Sequence, residues 1–422
     1  MRVNLAMRDF AAVAMLAGIA VLTLDGAAAA ADSGTNALPG GQVGFVVSHI
    51  KYALGKDAGE TGACPDGMTE GYGKTGGYNG IGDVFVGKPD LQRQEGEVED
   101  KYVQRVFTQA MSDPNTKNLC MNPELGKSDP NFKTVTGKNV PVDGIDLDGQ
   151  DSRINGNAAP NTCPHDDFRG MSGEHGIDNQ FYRLVGCSKS WQSTGLSNQY
   201  EIEMYTGAWG ILITLKGAQD LRNASNVEVG IYANADPIEL SPTREALPNA
   251  TYARDQDPRF RATTHGRIVN GVLTTDPVDV RFHVVTNSIH LERPLQDARL
   301  QMTFTPDGGM EGILAGYTQV EELYDFQYGF RNGKDANGNP ASLQLRAGSS
   351  IGQAAVLGHT CQGAYYAMKQ LADGHRDPKT GQCSALSTQY RIKAIPAFVV
   401  DASTQSTNQD LERSGAPKPD YR

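Results

Sequence analysis

The most constraining feature of this sequence is a short stretch that crowds carboxylates into one turn. Within nine residues it places four aspartates and two glycines: Asp143, Gly144, Asp146, Asp148, Gly149 and Asp151. Glycine permits the positive φ angles of a sharp turn, so the carboxylates must converge on a small volume. Like charges held this closely disfavour one another unless a cation neutralises them. The stretch therefore predicts a bound cation.

Calcium is the cation that such a turn favours, because it takes about six to eight oxygen ligands in a flexible geometry. The core at residues 146–151, Asp-Leu-Asp-Gly-Gln-Asp, resembles the short Asp-x-Asp-Gly-x-Asp calcium turns of several unrelated extracellular repeats. It is not a regular EF-hand, since alignment on Gly149 places Gly144 at the first ligand and Asn155 at the closing glutamate. We predict calcium bound by four ligands: Asp143, Asp146, Asp148 and Asp151. The alternative is a solvated acidic turn without metal.

The first 31 residues have the pattern of a secretory signal peptide. Arg2 and Arg8 precede an apolar run over residues 10–24, and an alanine-rich end follows up to Ala31. The run is short for a bilayer span, whereas the alanine-rich end suits cleavage before Asp32. The first cysteine, Cys64, lies far from this end, which argues against a lipid anchor. We therefore predict a periplasmic or secreted protein with no membrane span.

The cysteines support an oxidising compartment. Six cysteines, an even number, in a chain directed for export predict disulfides rather than free thiols. The sequence contains no Cys-x-x-Cys pattern, so neither a thioredoxin-type redox site nor an attached haem is indicated. We predict pairing in sequence order: Cys64 with Cys120, Cys163 with Cys187, and Cys361 with Cys383.

The charge of the chain argues against one class of partner. The formal net charge is −11, and lysines and arginines form no cluster. Nucleic-acid binding needs clustered basic side chains to neutralise phosphates, so we expect no nucleic-acid partner. A negative surface also disfavours docking to anionic lipid.

Short apolar and β-branched segments between turn residues predict a mainly β fold. The pair Asn270-Gly271 between β-branched flanks is typical of a two-residue hairpin turn, and Pro-Asp-Gly-Gly at 306–309 predicts another turn. We predict further strands over 43–54, 200–205, 208–215, 227–233, 278–285, 299–304 and 310–317. Hairpins at this spacing, with 48 glycines and 21 prolines, favour a disulfide-stapled antiparallel β-sandwich of the jelly-roll or lectin-like kind, with a few helices and long loops.

Changes in amino-acid composition along the sequence also predict a division of the chain into segments. After the signal peptide we expect a loop-rich N-terminal region with one strand and one helix, an acidic disulfide-closed segment, a β-sandwich body, a helix with a closing strand, and a disordered tail. Their ranges are 32–142, 143–190, 191–350, 351–401 and 402–422.

Three C-terminal segments carry more specific predictions. Tyr324, Phe326, Tyr328 and Phe330 alternate with other residues, which predicts a strand with all four rings on one buried face; a ligand platform is the alternative. Helical spacing of apolar residues over 356–372 predicts a helix. Residues 392–400 predict a closing strand at a sheet edge, because they contain a proline.

Two other groupings could carry chemistry. His165 and His175 lie in the acidic segment and could bind zinc or copper, although their ten-residue gap matches none of the compact zinc spacings. Glu201 and Glu203 would project from one strand face, about 7 Å apart at the backbone, as a carboxylate pair for retaining glycoside hydrolysis. The apolar residues that alternate with these glutamates favour a solvent-facing strand surface instead.

These features predict an exported, calcium- and disulfide-stabilised β-sandwich that binds an extracellular ligand, either a glycan or a surface protein, and that is not an enzyme. The alternative is a secreted glycoside hydrolase acting on polysaccharide through Glu201 and Glu203. The fold does not separate the two functions, because β-sandwiches host both.

Overall fold

The computed structural model describes residues 41–69, 93–102, 104–105, 118–151, 159–192, 204–205, 210–357 and 359–401. The predicted signal peptide, the carboxylate pair Glu201 and Glu203, and the predicted tail lie outside the described residues.

Most of the described secondary structure is β. The strands are β1 Gln42–Tyr52, β2 Pro141–Val142, β3 Arg169–Gly170, β4 Ile211–Lys216, β5 Ala224–Ala233, β6 Thr251–Arg254, β7 Arg261–Val269, β8 Val272–Thr275, β9 Val278–Thr286, β10 Ile289–Phe304, β11 Met310–Gln319, β12 Gly374–Arg376, β13 Cys383–Pro396 and β14 Phe398–Asp401. The α-helices are α1 Ala58–Thr61, α2 Gln180–Val185, α3 Val320–Tyr324, α4 Leu343–Leu357 and α5 Cys361–Leu371. Short 3-10 turns span Pro123–Leu125, Lys189–Trp191 and Pro258–Phe260.

The large antiparallel sheet closes on itself. Its order runs β1-β4-β5-β7-β8-β10-β11-β13, and β13 then pairs with β1 again, while β9 and β12 extend it beside β10 and β13. Val46 on β1 shows the closure, because it lies opposite Leu212 on β4 and opposite Ile395 on β13. Closure pairs the strand edges that would otherwise present free backbone groups. One large cluster of buried apolar side chains draws on the strands of this sheet and on the helices.

The prediction of a mainly β, antiparallel, disulfide-stapled fold is confirmed. The two packed layers of a sandwich stay a prediction, because the ladder of hydrogen bonds runs continuously around the closed sheet. The predicted closing edge strand over residues 392–400 is divided between two strands: residues 392–396 end β13, which is not at an edge because it pairs with β1, β11 and β12, and β14 pairs with β6. Pro396 is tolerated because it is the last residue of β13, where a missing backbone N–H removes little of the ladder.

The hairpin signals are confirmed. Asn270 and Gly271 have φ angles of 52° and 80° and connect β7 to β8, with Val269 opposite Val272. Two positive φ angles in a two-residue loop match the right-handed twist of the flanking strands. The second turn connects β10 to β11, and the Thr305 backbone N–H donates to the Gly309 carbonyl at 2.9 Å.

The alternating aromatic residues form a helix rather than a strand, so that prediction is wrong. Tyr324 ends α3, and a π-helical turn over Asp325–Gly329 carries Phe326 and Tyr328. All four rings are nevertheless buried, as predicted. The segment is enclosed because α4 and β10 pack on the π-helical turn and α5 packs on α3. An element buried on several sides has no single apolar face, so the spacing of its apolar residues does not identify its type.

The predicted helix over 356–372 divides between two helices. Leu357 ends α4, and α5 begins at Cys361. Thr360 separates them as the N-cap of α5, because its hydroxyl accepts a hydrogen bond from the Gly363 backbone N–H at 3.2 Å. A threonine that caps a new helix competes with continuation of the preceding one.

All six cysteines form disulfides, but the predicted pairing in sequence order is wrong. The bonds join Cys64 to Cys187, Cys120 to Cys361, and Cys163 to Cys383, across 123, 241 and 220 residues of sequence. Each bond therefore ties distant parts of the chain together. Three disulfides in a β-rich fold fit a stabilised extracellular or periplasmic domain. Within the described ranges, no helix combines the length and apolarity needed to cross a bilayer.

His359, just before α5, makes stability depend on pH. The ring is fully buried, its Nδ1 lies 3.1 Å from the Tyr328 hydroxyl, and it meets the Phe132 ring edge-on. Burial lowers the pKa of His359 to about 3. An unfolded histidine has a pKa of about 6.5, so the unfolded state takes up the proton first as the pH falls.

We therefore expect the contribution of His359 to be complete above about pH 6.5 and to fall by about 1.4 kcal/mol per pH unit below it. Between about pH 7 and pH 5, the wild type should lose about 2 kcal/mol more of its unfolding free energy than His359→Gln does. Urea unfolding at each pH measures this difference. The exposed His265, changed to Gln, is the control and should keep the wild-type pH slope. Equal slopes in the wild type and His359→Gln would contradict the prediction.

Candidate metal centre

The acidic turn is fixed to the central strand β13 by one amide side chain. Gln389 is fully buried, and its Oε1 accepts a hydrogen bond from the Ile145 backbone N–H at 2.8 Å. Its Nε2 donates to the Ile145 carbonyl at 2.8 Å and also to the Asp178 carbonyl. Gly144 permits this approach, because a Cβ at that position would lie 2.7 Å from Gln389 Oε1. The Gln389 side chain therefore holds both the acidic turn and the segment that carries Asp178.

Asp178 contacts both the acidic turn and His165. Its carboxylate is fully buried, and Oδ2 accepts hydrogen bonds from the backbone N–H groups of Leu147 at 2.6 Å and Asp148 at 3.2 Å. The other oxygen, Oδ1, lies 2.6 Å from His165 Nε2. One carboxylate thus joins the acidic turn on one side to a histidine on the other.

His165 supplies positive charge to this cluster. Its Nδ1 lies 2.7 Å from the Cys163 carbonyl, which can only accept, so Nδ1 carries a proton. Its Nε2 lies 2.6 Å from Asp178 Oδ1 and 2.8 Å from Asp167 Oδ1. Burial opposes the charged ring, but the hydrogen bonds to Asp167 and Asp178 outweigh it and raise the pKa of His165 to about 12. The ring is therefore an imidazolium that balances buried carboxylates.

Asp373 adds a third carboxylate to the surroundings of His165. It directly precedes β12, is fully buried, and its Oδ1 accepts a hydrogen bond from the Ser387 backbone N–H at 2.8 Å. Its Oδ2 lies 3.9 Å from His165 Nε2 and has no hydrogen-bond partner among the described residues. Burial raises the pKa of Asp373. A buried oxygen left without a donor is costly, so this atom needs an explanation.

The structure brings together two of the four predicted calcium ligands. Asp146 and Asp148 each offer a carboxylate oxygen that lies within 4.8 Å of one on Asp178. Burial raises the pKa of Asp146 to about 6, against the hydrogen bond from the Gly149 N–H, and the nearby charge of Asp148 adds to the increase. These carboxylates are crowded, as the sequence indicated.

The other two predicted ligands have basic partners of their own. Asp143 accepts from Nε and Nη2 of Arg391 on β13. Asp151 lies 3.0 Å from Nδ1 of His175. His175 is half-exposed and does not join His165, so the two histidines that the sequence analysis considered together lie in different surroundings.

Two overlapping sets of side chains could hold a metal ion. One set is His165, Asp167 and Asp178, and the other is Asp146, Asp148 and Asp178. The first mixes an imidazole nitrogen with carboxylate oxygens, whereas the second offers oxygen alone. Asp178 belongs to both sets.

Three members of this centre were not predicted from the sequence: Asp167, Asp178 and Asp373. Asp167 and Asp178 were visible as acidic residues near His165, but the turn at 143–151 was the stronger local signal. In the sequence, Asp373 stands out only as the residue that follows a predicted helix. Its position beside His165 depends on the pairing of β12 with β13.

Comparison with known proteins adds no relative, because no family model, curated protein or solved structure matches this chain.

The anchor of the centre can be tested by replacing Gln389 with methionine, which has a similar length and no amide. The change leaves both backbone groups of Ile145 and the Asp178 carbonyl without their partner. We expect a loss of about 3 kcal/mol in the free energy of unfolding, measured in urea. Gln301→Met, at an exposed position on β10, is the control and should change stability by less than about 0.5 kcal/mol. Similar losses in both variants would show that Gln389 is not an anchor.

Proposed function

We propose that this protein is exported, stabilised by its three disulfides, and held in its binding-competent form by a calcium ion on the acidic turn. The observation that carries the calcium proposal is the approach of Asp146, Asp148 and Asp178, whose ligand atoms lie within 4.8 Å of one another. Calcium favours such an all-oxygen set, whereas typical zinc sites include at least one nitrogen or sulfur donor. Export rests on the predicted signal peptide at residues 1–31 and on the disulfides.

The ion would act as a structural link. Asp146 and Asp148 lie on the turn that Gln389 fixes to β13, while Asp178 lies just before α2. An ion shared by the three carboxylates would hold these segments together and relieve their mutual repulsion. A ligand that binds only the folded protein adds stability by mass action.

Calcium should therefore raise the melting temperature of the wild type. Extracellular calcium modules bind with dissociation constants on the order of 0.1 to 1 mM. At about 5 mM calcium we expect about 1 to 2 kcal/mol of added stability, seen as a shift of a few °C relative to a chelator. Asp146→Asn should abolish the shift, although its amide oxygen can still accept from the Gly149 N–H.

The matched control is Asp151→Asn, in the same turn but paired with His175. It should retain the calcium shift, because Asp151 lies outside the three-carboxylate set. Identical melting curves of the wild type in calcium and in chelator would refute the calcium proposal.

We propose further that the extracellular ligand is a glycan and that it binds in a cleft of about 260 Å³ beside β9, β10 and the π-helical turn. Glu292 lines this cleft, and its two carboxylate oxygens accept from Arg259 and Arg281, each at 2.9 Å. Phe326 also borders the cleft, so we keep the alternative that this ring is a platform for a ligand. Fixed polar groups beside an aromatic ring are typical of small-ligand sites.

The charge of the cleft favours a neutral ligand. Its lining holds three Arg or Lys side chains and four Asp or Glu side chains, so the charges nearly cancel. A strongly charged ligand would therefore gain little net attraction, whereas sugar hydroxyls can both donate to carboxylates and accept from guanidinium groups. A cleft of this volume suits one or two sugar units better than a protein surface.

Glu292→Gln should weaken glycan binding, because it removes the charge that orients both arginines. We expect at least about a tenfold loss of affinity, or about 1.4 kcal/mol, by calorimetry with a glycan selected on an array. The control is Glu228→Gln on β5, whose pair with Lys216 does not line the cleft. Wild-type protein that binds no glycan on the array, or equal losses in both variants, would refute the proposal.

A further inference from the structure

We propose that His165, Asp167, Asp178 and Asp373 form a second metal site, selective for a transition-metal ion of the zinc or manganese type. This site goes beyond the calcium proposal and does not rest on it, although Asp178 is common to both. Three features of the cluster support a second site: the orientation of the histidine, the burial of the carboxylates around Nε2, and the Asp373 oxygen that no described donor satisfies.

The histidine is oriented as metal-binding histidines are. Nδ1 donates to the Cys163 carbonyl at 2.7 Å, which leaves Nε2 directed into the cluster. Metal-binding histidines usually donate their second ring nitrogen to a carbonyl or carboxylate in this way, because the contact fixes the ring. The carbonyl is itself held, since Cys163 is bonded to Cys383 and its backbone N–H donates to the Asp373 carbonyl at 2.8 Å.

The carboxylates around Nε2 are withdrawn from water. Asp167 and Asp178 lie 2.8 Å and 2.6 Å from Nε2, and their side chains have no exposed surface. In a tetrahedral site with bonds of about 2.0 to 2.1 Å, neighbouring donor atoms lie about 3.3 Å apart. An ion would therefore enter by moving these donors apart by about 0.5 to 0.7 Å and by replacing the proton on Nε2.

Asp373 lies outside the set of three residues whose ligand atoms are within 4.8 Å of one another, and it would supply the fourth donor by an inward movement of its carboxylate. The protein holds its Oδ1 through the Ser387 backbone N–H, while Oδ2 lies 3.9 Å from Nε2 without a hydrogen-bond partner among the described residues. A metal ion at the centre of the cluster would pair this oxygen, which no described donor satisfies. The cost of burying Asp373 would then be offset by the ion.

The donor set separates this site from the calcium site. One imidazole nitrogen with three carboxylate oxygens suits zinc or manganese, whereas calcium prefers oxygen donors alone. Asp178 can serve both sites, because Oδ1 faces His165 and Oδ2 faces the backbone of the acidic turn. Neither of the other calcium-site carboxylates, Asp146 and Asp148, belongs to the histidine set.

The test is a zinc titration of the full mature protein, followed by calorimetry in about 5 mM calcium so that any calcium site is filled first. We expect one zinc ion per chain, and at least about a 100-fold loss of affinity in His165→Gln. Asp373→Asn should weaken zinc binding about tenfold or more while keeping the hydrogen bond from the Ser387 N–H. His175→Gln, in the same segment but outside the set, should bind zinc as the wild type does.

A second readout needs no variant and therefore holds even if His165→Gln does not fold. In wild-type protein with ¹⁵N-labelled histidine, zinc should shift the Nε2 resonance of one ring strongly and leave its Nδ1 protonated. Manganese should broaden the same resonance.

The outcomes distinguish the two sites. Asp146→Asn should lose the calcium shift in melting temperature but retain zinc binding. No zinc binding below about 1 mM, no histidine shift, or an equal loss of affinity in His175→Gln would overturn the second site and leave the calcium proposal untouched.

Discussion

The structure depends on the burial of the Asp178 carboxylate against the central strand. A buried carboxylate is stable only when donors and positive charge surround it. Here the donors are two backbone N–H groups of the acidic turn, and the charge is the His165 ring. These contacts decide how the turn folds, where residues 165–178 lie, and why Asp167 and Asp373 can be buried close by.

Strand β13 connects this cluster to the fold. It pairs with β1, β11 and β12, and so lies where the closed sheet meets its extension. Gln389 on this strand anchors the acidic turn, Arg391 neutralises Asp143, and Cys383 bonds to the segment that carries His165. One strand therefore supplies hydrogen bonds, charge and a covalent bond to the centre. Since strand register sets which side chains face the turn, sheet closure and the candidate metal centre are linked.

The carboxylates of the acidic turn are crowded, as predicted, but they do not all have the same kind of partner. Asp143 pairs with Arg391 and Asp151 lies beside His175, and both of these basic residues lie outside the turn. Of the four turn aspartates, only Asp146 and Asp148 belong to a set of side chains close enough to share an ion. The calcium proposal therefore rests on the two turn aspartates that approach Asp178, and not on the two that lie beside basic side chains.

Much of the secondary structure could be predicted from local patterns. The Asn270-Gly271 hairpin and most strands follow from turn residues and β-branched segments that act over a few positions. The aromatic segment at 324–330 could not, because the alternation of its rings reflects enclosure on several sides rather than a strand.

The sequence by itself determined that the chain is mainly β, that its cysteines are bonded, and that carboxylates crowd at residues 143–151. These properties depend on composition and on neighbours within a few residues. Only the tertiary structure decided which cysteines pair, that the sheet closes through β1 and β13, and that Asp178, Asp167 and Asp373 meet at His165. Those contacts join residues separated by up to several hundred positions, and they depend on the register of the closed sheet, which no local pattern encodes.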